Sequence, residues 1–167
     1  MSPSLNSIIV SLAEVPFEEQ VERNASGGPV VLIVDDEPLV ANTLSVILAR
    51  AGYTTLTAYD GLTALRLANS LAPGLLITDV AMPDMNGVEL ALAMLKALPS
   101  CKILLFSGHA TSADLVNALD AGHDFRLLTK PVHPTEMLKQ VTKTLGAPKG
   151  AIPPTRLAEV VPIRRIA

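Results

Sequence analysis

Short apolar runs alternate along the chain with longer segments in which apolar residues recur at helical spacing. The runs are rich in valine, isoleucine and leucine, which is typical of strands that are buried on both faces of a parallel sheet. The second run is more polar than the others, so its strand is expected nearer an edge. The five predicted strands are residues 30–34, 53–58, 75–77, 103–106 and 127–128.

Five helices are predicted in the segments that follow the strands. The first begins near Glu37, because Pro38 suits a first helical turn, and Gly52 ends it. Asp60 is predicted to cap the second helix, which ends by residue 73. The apolar stripe of the first helix comprises Leu39, Val40, Leu44, Ile47 and Leu48, and the second helix carries Leu62, Leu65 and Leu67. The remaining helices are predicted at 88–98, from Thr111 or Ser112 to residue 122, and at 135–145.

Strands that alternate with helices form β-α-β units with right-handed crossovers, which makes the sheet parallel. We therefore predict an α/β fold: a three-layer, doubly wound sandwich with a five-stranded parallel sheet and five helices. The expected strand order is the flavodoxin-like 2-1-3-4-5. Sheets of this kind bind ligands beyond the carboxyl ends of their strands, so the site is expected there.

Charge and turn residues divide the chain into three parts. Residues 1–29 have a net charge of -3 and end in a glycine-rich stop, and we expect a flexible N-terminal extension. Residues 30–146 also carry -3 and hold the predicted domain. Residues 147–167 carry +3 and several prolines, which predicts a mobile tail. Because this tail is too short for a second folded domain, we expect a protein that acts without an output domain.

Composition excludes several classes of protein. Aromatic residues make up 3% of the chain and tryptophan is absent, which disfavours the stacking surfaces that bind single-stranded nucleic acid. A net charge of -3 has the wrong sign for contacts with phosphate backbones. A single cysteine, Cys101, cannot form an internal disulfide or a multi-thiolate zinc site. Without a membrane-length apolar run or a basic start, a cytoplasmic protein that binds neither membrane nor nucleic acid is expected.

Polar side chains follow four of the five predicted strands. Asp35 and Asp36 follow the first, Asp79 the third, Ser107 the fourth and Lys130 the fifth. Three carboxylates at one rim repel one another unless positive charge lies among them. Lys130 supplies one charge, and Mg²⁺, which prefers oxygen ligands, is the natural second. The pattern predicts a site for a phosphoryl group beside a metal, in which one carboxylate can act as a nucleophile and become an aspartyl phosphate.

Some of these residue types are also common in helix caps and turns. Asp35 and Asp36 could simply cap the first helix at its positive end. Ser107 before a glycine is also ordinary turn chemistry. The three histidines, His109, His123 and His133, are expected at the surface or as caps, since no two of them have metal-ligand spacing on one element.

Over residues 30–146 the chain resembles the receiver domain of two-component response regulators. Each motif alone is weak, but four in this order, each at a predicted strand end, make a specific pattern. The motifs are Val31-Leu32-Ile33-Val34-Asp35-Asp36-Glu37, Asp79-Val80-Ala81-Met82-Pro83-Asp84-Met85-Asn86-Gly87, Ser107-Gly108 and Lys130-Pro131.

The resemblance implies a role for each matching residue. Asp79 would be the phosphoacceptor, Lys130 would bind a phosphate oxygen next to a cis Pro131, and Ser107 would move toward the phosphoryl group. Gly87 would permit the turn into the third helix. Mg²⁺ would be held by Asp36 directly, by Asp35 through water or hydrogen bonds, by Asp79 and by the backbone carbonyl of Ala81. Ala81 and His109 fall where family members tune the lifetime of the phosphate.

The resemblance also implies the partners. A sensor histidine kinase or a phosphotransfer protein would donate the phosphoryl group, and an unidentified protein would receive the signal. Activation could also bring two copies of the chain together. The chain would not be an enzyme beyond its own phosphorylation and dephosphorylation. The alternatives are an adaptor that works without phosphorylation, and a phosphohydrolase that forms an aspartyl phosphate, although Ala81 stands where haloacid-dehalogenase-like phosphatases have their second aspartate.

The chain departs from the family pattern in one place. The family usually has an aromatic residue three positions before the lysine, and here that position is Leu127, while Phe125 lies five positions before it. Either Phe125 shifts register to fill the place, or phosphorylation is coupled to the surface without an aromatic side chain.

Overall fold

The computed structural model describes residues 28–108 and 125–148, together with residues 116, 122 and 123. The predicted extension and tail lie almost entirely outside these residues, and so does the predicted helix between Thr111 or Ser112 and residue 122. The described residues contain five strands and four helices. In chain order they are β1 Val30–Val34, α1 Pro38–Arg50, β2 Thr54–Ala58, α2 Gly61–Leu71, β3 Leu75–Asp79, α3 Gly87–Ala97, β4 Lys102–Ser107, β5 Arg126–Thr129 and α4 Pro134–Leu145.

The five strands form one parallel sheet in the order β2-β1-β3-β4-β5. This is the predicted doubly wound α/β fold with the predicted strand order. The most polar strand, β2, lies at an edge, as its composition indicated. Because β1 and β3 are neighbours in the middle of the sheet, the residues that follow them come together at its carboxyl end.

Each face of the sheet carries its own apolar cluster, because side chains alternate between faces along a strand. On one face, Leu32, Leu76 and Leu105 pack against α2 and α3. On the other, Ile33 and Ile77 pack against α1 and α4. The largest fully buried side chains are leucine, isoleucine and methionine. This aliphatic core is what a chain without tryptophan requires.

The apolar stripes of α1 and α2 differ from the prediction at one residue each. Leu39 is 69% exposed and Leu62 is 65% exposed. The buried face of each helix is marked by an alanine, Ala41 in α1 and Ala64 in α2. Each exposed leucine precedes that alanine by two residues, which turns it about 160° away from the sheet at 3.6 residues per turn.

Capping side chains fix where two of the helices that surround the site, α2 and α3, begin. The side chain of Asp60 accepts a hydrogen bond from the backbone N–H of Thr63 at 2.7 Å, as predicted for α2. Asn86 and Glu89 form a reciprocal capping box at the start of α3. α1 begins at Pro38, also as predicted. The β-α connections at the carboxyl end of the sheet are thereby held in defined conformations.

Candidate functional site

Three carboxylates meet at the carboxyl ends of β1 and β3. Val34 of β1 is in register with Thr78 of β3, so the next residues, Asp35 and Asp79, lie side by side. Asp36 joins them, and one oxygen from each of the three side chains lies within 4.8 Å of the others. Asp35 is 1% exposed and Asp79 8% exposed, whereas Asp36 is exposed. The three predicted acidic residues therefore form one cluster.

Lys130 extends into this cluster from the edge of the sheet. Its ammonium Nζ lies 3.1 Å from Oδ1 of Asp79 and 3.3 Å from Oδ2 of Asp35. The register of β4 and β5 pairs Ser107 with Thr129, and the backbone N–H of Lys130 donates to the carbonyl of Ser107 at 2.8 Å. The Lys130–Pro131 peptide bond is cis, as the resemblance implied. One side chain thus links both carboxylates to the fourth and fifth strands.

The charges of the cluster do not cancel, because three carboxylates face one ammonium. Burial raises the pKa of Asp35, against the lowering effects of the Glu37 backbone N–H, which lies 3.0 Å from Oδ1, and of Lys130. Burial lowers the pKa of Lys130, but its hydrogen bond to Asp79 and the two negative charges outweigh this and raise the pKa overall. Lys130 therefore stays protonated at neutral pH.

This donor set fits Mg²⁺. Hard divalent cations bind carboxylate oxygens, and the three aspartates present theirs within the reach of one ion while remaining under-neutralised by Lys130. Asp36 is exposed, so water can reach the site from this side. Mg²⁺ typically retains several water molecules among its ligands. Ala81 is exposed in the loop two residues after Asp79, and the metal role of its carbonyl stays a prediction.

Ser107 ends β4 at the same edge of the sheet. Asp79 is in register with Phe106, so Ser107 lies one residue beyond Asp79 on the adjacent strand. Its side chain is buried, with 6% exposure. All the strand-end residues that the sequence singled out therefore surround one location, and Asp79 lies between the other two aspartates and Ser107 in the order of the strands.

The backbone of the loop after β3 is more tightly constrained than the sequence indicated. The left-handed conformation in this loop belongs to Asp84, with φ of 64°, and not to Gly87. Gly87 is needed for another reason: a β-carbon there would collide with the carbonyl group of Asp79. On the sheet side, the buried hydroxyl of Thr78 donates to the same carbonyl oxygen at 3.0 Å. Sequence reasoning missed Thr78, although a threonine between the apolar run of residues 75–77 and Asp79 was a visible signal.

Leu127 and Phe125, the two candidates for the position of the family's aromatic residue, lie in different places. Leu127 lies within β5 in register with Leu105, three residues before Lys130. Phe125 precedes the strand, is buried and stacks on His123 with ring centroids 5.6 Å apart. Leu127 therefore occupies the strand position at which the family usually has an aromatic side chain.

His133 and Cys101 have structural surroundings outside the acidic cluster. His133 caps α4, with its Nδ1 accepting the backbone N–H of Thr135 at 3.3 Å. Cys101 is buried, and burial raises the pKa of its thiol to about 11, so that it stays protonated and unreactive. His109 lies outside the described residues. Within the part of the chain that the structure covers, no helix combines the length and apolar character needed to cross a membrane.

Comparisons with known proteins agree with this geometry. A family model described as the response regulator receiver domain matches residues 31–142. The transcriptional regulatory protein KdpE of Mycobacterium tuberculosis is 37% identical over 111 residues, which cover 66% of this chain and 48% of KdpE. The DNA-binding response regulator MtrA of Mycolicibacterium smegmatis is 31% identical over 115 residues, which cover 69% of this chain and 50% of MtrA. This chain thus matches about half the length of these curated relatives.

Solved structures show the same fold. The chemotaxis protein CheY4 of Vibrio cholerae superposes with a TM-score of 0.65 at 31% identity, covering 71% of this chain and 100% of that chain. A CheY-like receiver domain protein of Methanospirillum hungatei gives a TM-score of 0.66 at 29% identity, covering 71% and 94%. With the family model spanning most of the sheet and the acidic cluster at its carboxyl end, the chain belongs to the response regulator receiver domain family.

Proposed function

We propose that Asp79 accepts a phosphoryl group in a reaction that requires Mg²⁺. The ion would be held by Asp35, Asp36, Asp79 and the carbonyl of Ala81. The observation that carries this proposal is the arrangement of Lys130, whose ammonium lies within 3.3 Å of two carboxylates in a cluster of three. Burying charged side chains in this way is costly for stability. An ammonium held at this position suits a site in which a cation must meet a phosphoryl dianion.

Asp79 is a better nucleophile than Asp35 on geometric grounds. Asp35 uses Oδ1 to accept the N–H of Glu37 and Oδ2 to bind Lys130, so both of its oxygens are engaged. Asp79 contacts Lys130 through Oδ1. It also lies on the central strand, flanked by the other carboxylates on one side and by Ser107 on the other.

In the proposed reaction, a carboxylate oxygen of Asp79 attacks the phosphorus of a phosphohistidine on a partner protein. The P–N bond breaks, and its electron pair stays on the imidazole nitrogen, which takes up a proton. Lys130 and Ser107 bind oxygens of the transferred group and hold it in line with Asp79. When bound, Mg²⁺ would neutralise negative charge on the phosphoryl oxygens. Water later attacks the phosphorus, and the acyl phosphate yields the Asp79 carboxylate and inorganic phosphate.

The proposed output is a change in affinity for a partner protein. A phosphoryl group adds negative charge at the ends of β3, β4 and β5, which biases the segments that follow these strands. The relatives are named as transcriptional or DNA-binding regulators, whereas residues 30–146 here carry a net charge of -3. We therefore propose that residues 30–146 contact a phosphodonor and a protein target rather than DNA. A second copy of the chain is one of the targets to test.

Intact-mass measurement after incubation with acetyl phosphate and Mg²⁺ tests the proposal. We expect one added phosphoryl group on the wild type, none on Asp79→Asn, and none when a chelator is present. Asp84→Asn is the matched control, because Asp84 is an exposed aspartate in the same loop and asparagine tolerates its left-handed backbone. It should be phosphorylated like the wild type.

Two results would contradict the proposal. An adduct that persists in Asp79→Asn would move the phosphoacceptor elsewhere. No adduct on the wild type with any phosphodonor would favour the adaptor that works without phosphorylation. Hydrolysis of external phosphate esters is not part of the proposal, because Ala81 offers no side-chain proton donor.

A further inference from the structure

Thr78 is a buried polar residue in an otherwise apolar setting. It is 1% exposed, and its register neighbours on the two adjacent strands are Val34 and Leu105. Valine has nearly the same shape as threonine and would suit such a position in a parallel strand. A hydroxyl buried here is unfavourable unless it forms a hydrogen bond, so the contact that it makes is informative.

The hydroxyl of Thr78 contacts the loop that carries the phosphoacceptor. It donates to the backbone carbonyl oxygen of Asp79 at 3.0 Å, and it lies 4.0 Å from Sδ of Met82. Met82 is itself buried, with 8% exposure. One side chain thus touches the residues on both sides of Val80 and Ala81.

Backbone groups of this loop also form hydrogen bonds. The N–H of Val80 donates to the carbonyl of Phe106 at 2.8 Å, and the N–H of Gly87 donates to the carbonyl of Val80 at 2.9 Å. Gly87 also closes the space next to the carbonyl of Asp79 on the side of α3. The hydroxyl of Thr78 holds this same carbonyl, so the peptide group after Asp79 has one defined orientation.

We propose that Thr78 is a positioning residue for phosphorylation, an inference that rests on the proposed function of Asp79. The orientation of the peptide after Asp79 sets its ψ angle, and ψ decides which side-chain rotamers are allowed. By fixing this peptide, the hydroxyl directs the Asp79 carboxylate toward Lys130. It also fixes the position of the Ala81 carbonyl, two residues further along the loop.

The test compares Thr78→Val with Thr78→Ser and with Thr57→Val. Thr57 is half-buried in β2, so its change to valine is the same chemical change at a strand position away from the loop. The initial rate of Asp79 phosphorylation by acetyl phosphate at limiting Mg²⁺ should fall about fivefold in Thr78→Val, as for the loss of one hydrogen bond between neutral groups. It should stay near the wild-type rate in the other two variants.

A second measurement needs neither metal nor phosphodonor. Amide hydrogen exchange at Val80 and Gly87 should become faster in Thr78→Val and remain unchanged in Thr78→Ser. Equal phosphorylation rates in Thr78→Val and Thr57→Val, or unchanged exchange of these two amides, would overturn the inference. A wild type that accepts no phosphate would instead contradict the proposed function, while the exchange data still decide the role of Thr78.

A further pair of variants covers a failure of Thr78→Val to fold. Thr78→Ala and Thr78→Ser both remove the methyl group, and they differ in the hydroxyl. A slower reaction and faster amide exchange in Thr78→Ala than in Thr78→Ser would support the proposal, and identical behaviour would refute it.

Discussion

Different kinds of interaction stabilise the structure at the two ends of the sheet. At the carboxyl end, Asp35, Asp79 and Lys130 bring charges into a buried cluster with contacts of 3.1 and 3.3 Å. At the amino end, the hydroxyl of Tyr53 donates to the carbonyl of Gly146 at 3.0 Å and lies 2.9 Å from the hydroxyl of Thr142. Burying charge is costly, whereas satisfied neutral hydrogen bonds favour the folded state modestly. The amino end therefore contributes to stability, whereas the carboxyl end carries a charged cluster whose burial is costly.

The largest expected difference between the two ends concerns a glycine at each. A β-carbon on Gly87, at the carboxyl end, would collide with the backbone of Asp79, which cannot move without displacing the Asp79 side chain from the acidic cluster. A β-carbon on Gly74, at the amino end, would lie 3.2 Å from Cβ of Pro29 and 3.5 Å from Cδ2 of Leu145. We expect Gly87→Ala to lower the free energy of unfolding by about 3 kcal/mol and to abolish phosphorylation.

Gly74→Ala is the matched control for this prediction. Its neighbours need to shift only slightly, so the free energy of unfolding should change by less than about 1 kcal/mol, with phosphorylation retained. Urea unfolding and intact mass measure both quantities. If Gly74→Ala proved as damaging as Gly87→Ala, the two ends would not differ in the way that the packing indicates.

The next largest change in stability and phosphorylation is expected when the ammonium of Lys130 is removed from the carboxyl end. Lys130→Met leaves Asp35 and Asp79 buried without their cation, so the metal-free protein should lose about 2 kcal/mol. This estimate is reduced from that of a fully buried pair because the Lys130 side chain is 32% exposed. Phosphorylation by acetyl phosphate should be at least about tenfold slower, since the charge proposed to stabilise the transferred group is lost.

A surface ion pair serves as the control for Lys130. Nζ of Lys139 lies 4.0 Å from Oε2 of Glu136 on α4, and the two side chains are 74% and 46% exposed. Lys139→Met should change the free energy of unfolding by less than about 0.5 kcal/mol and leave phosphorylation unaffected. Equal losses in the two methionine variants would mean that Lys130 acts merely as a surface charge.

The carboxyl end was also the part that the sequence predicted best. Buried parallel strands are nearly continuous aliphatic runs, and the residue after such a run must lie at the carboxyl edge. Asp35, Asp79, Ser107 and Lys130 could therefore be brought together from strand order alone. The cluster of three aspartates and its contact with Lys130 agree with that prediction.

Features that depend on how loops return or on how closely helices approach could not be predicted. The tight approach of Gly87 to the carbonyl of Asp79 exists because the chain turns back after β3. The hydrogen bond of Thr78 joins neighbouring residues, but it depends on how that turn orients the carbonyl of Asp79. Leu39 and Leu62 were assigned to apolar stripes because leucine is more hydrophobic than alanine. The small alanines define the buried faces instead, since they let the helices lie close to the sheet.

A smaller loss of stability is expected when a hydrogen-bonding hydroxyl is removed at the amino end. Tyr53→Phe removes two hydrogen bonds but keeps the buried ring, so the free energy of unfolding should fall by about 1 kcal/mol. Phosphorylation should not change, because the site lies at the opposite end of the sheet. A double-mutant cycle with Thr142→Val measures the contact directly, and a coupling energy near zero would show that the Tyr53–Thr142 hydrogen bond does not stabilise the fold.

The smallest effect, at the cap of α2, depends on pH. Asp60 accepts hydrogen bonds from the backbone N–H of Thr63 at 2.7 Å and from its hydroxyl at 2.8 Å, and these lower its pKa below 3.8. A pKa that is lower in the folded state contributes stability above the unfolded value, and this stability is lost as the pH falls through the folded value. Asp60→Asn keeps a capping oxygen without the charge.

The wild type should therefore exceed Asp60→Asn in free energy of unfolding by about 0.5 kcal/mol at neutral pH, the usual magnitude for an exposed charge at a helix N-terminus. The difference between the two proteins should shrink as the pH falls below 3.8. Urea unfolding of both proteins from pH 7 to pH 3 gives this difference, and titrations common to both cancel. A difference that stays constant over the whole range would assign the stabilisation to the shape of the cap rather than to its charge. In that case Asp60, unlike Lys130, would contribute no electrostatic stabilisation at the carboxyl end.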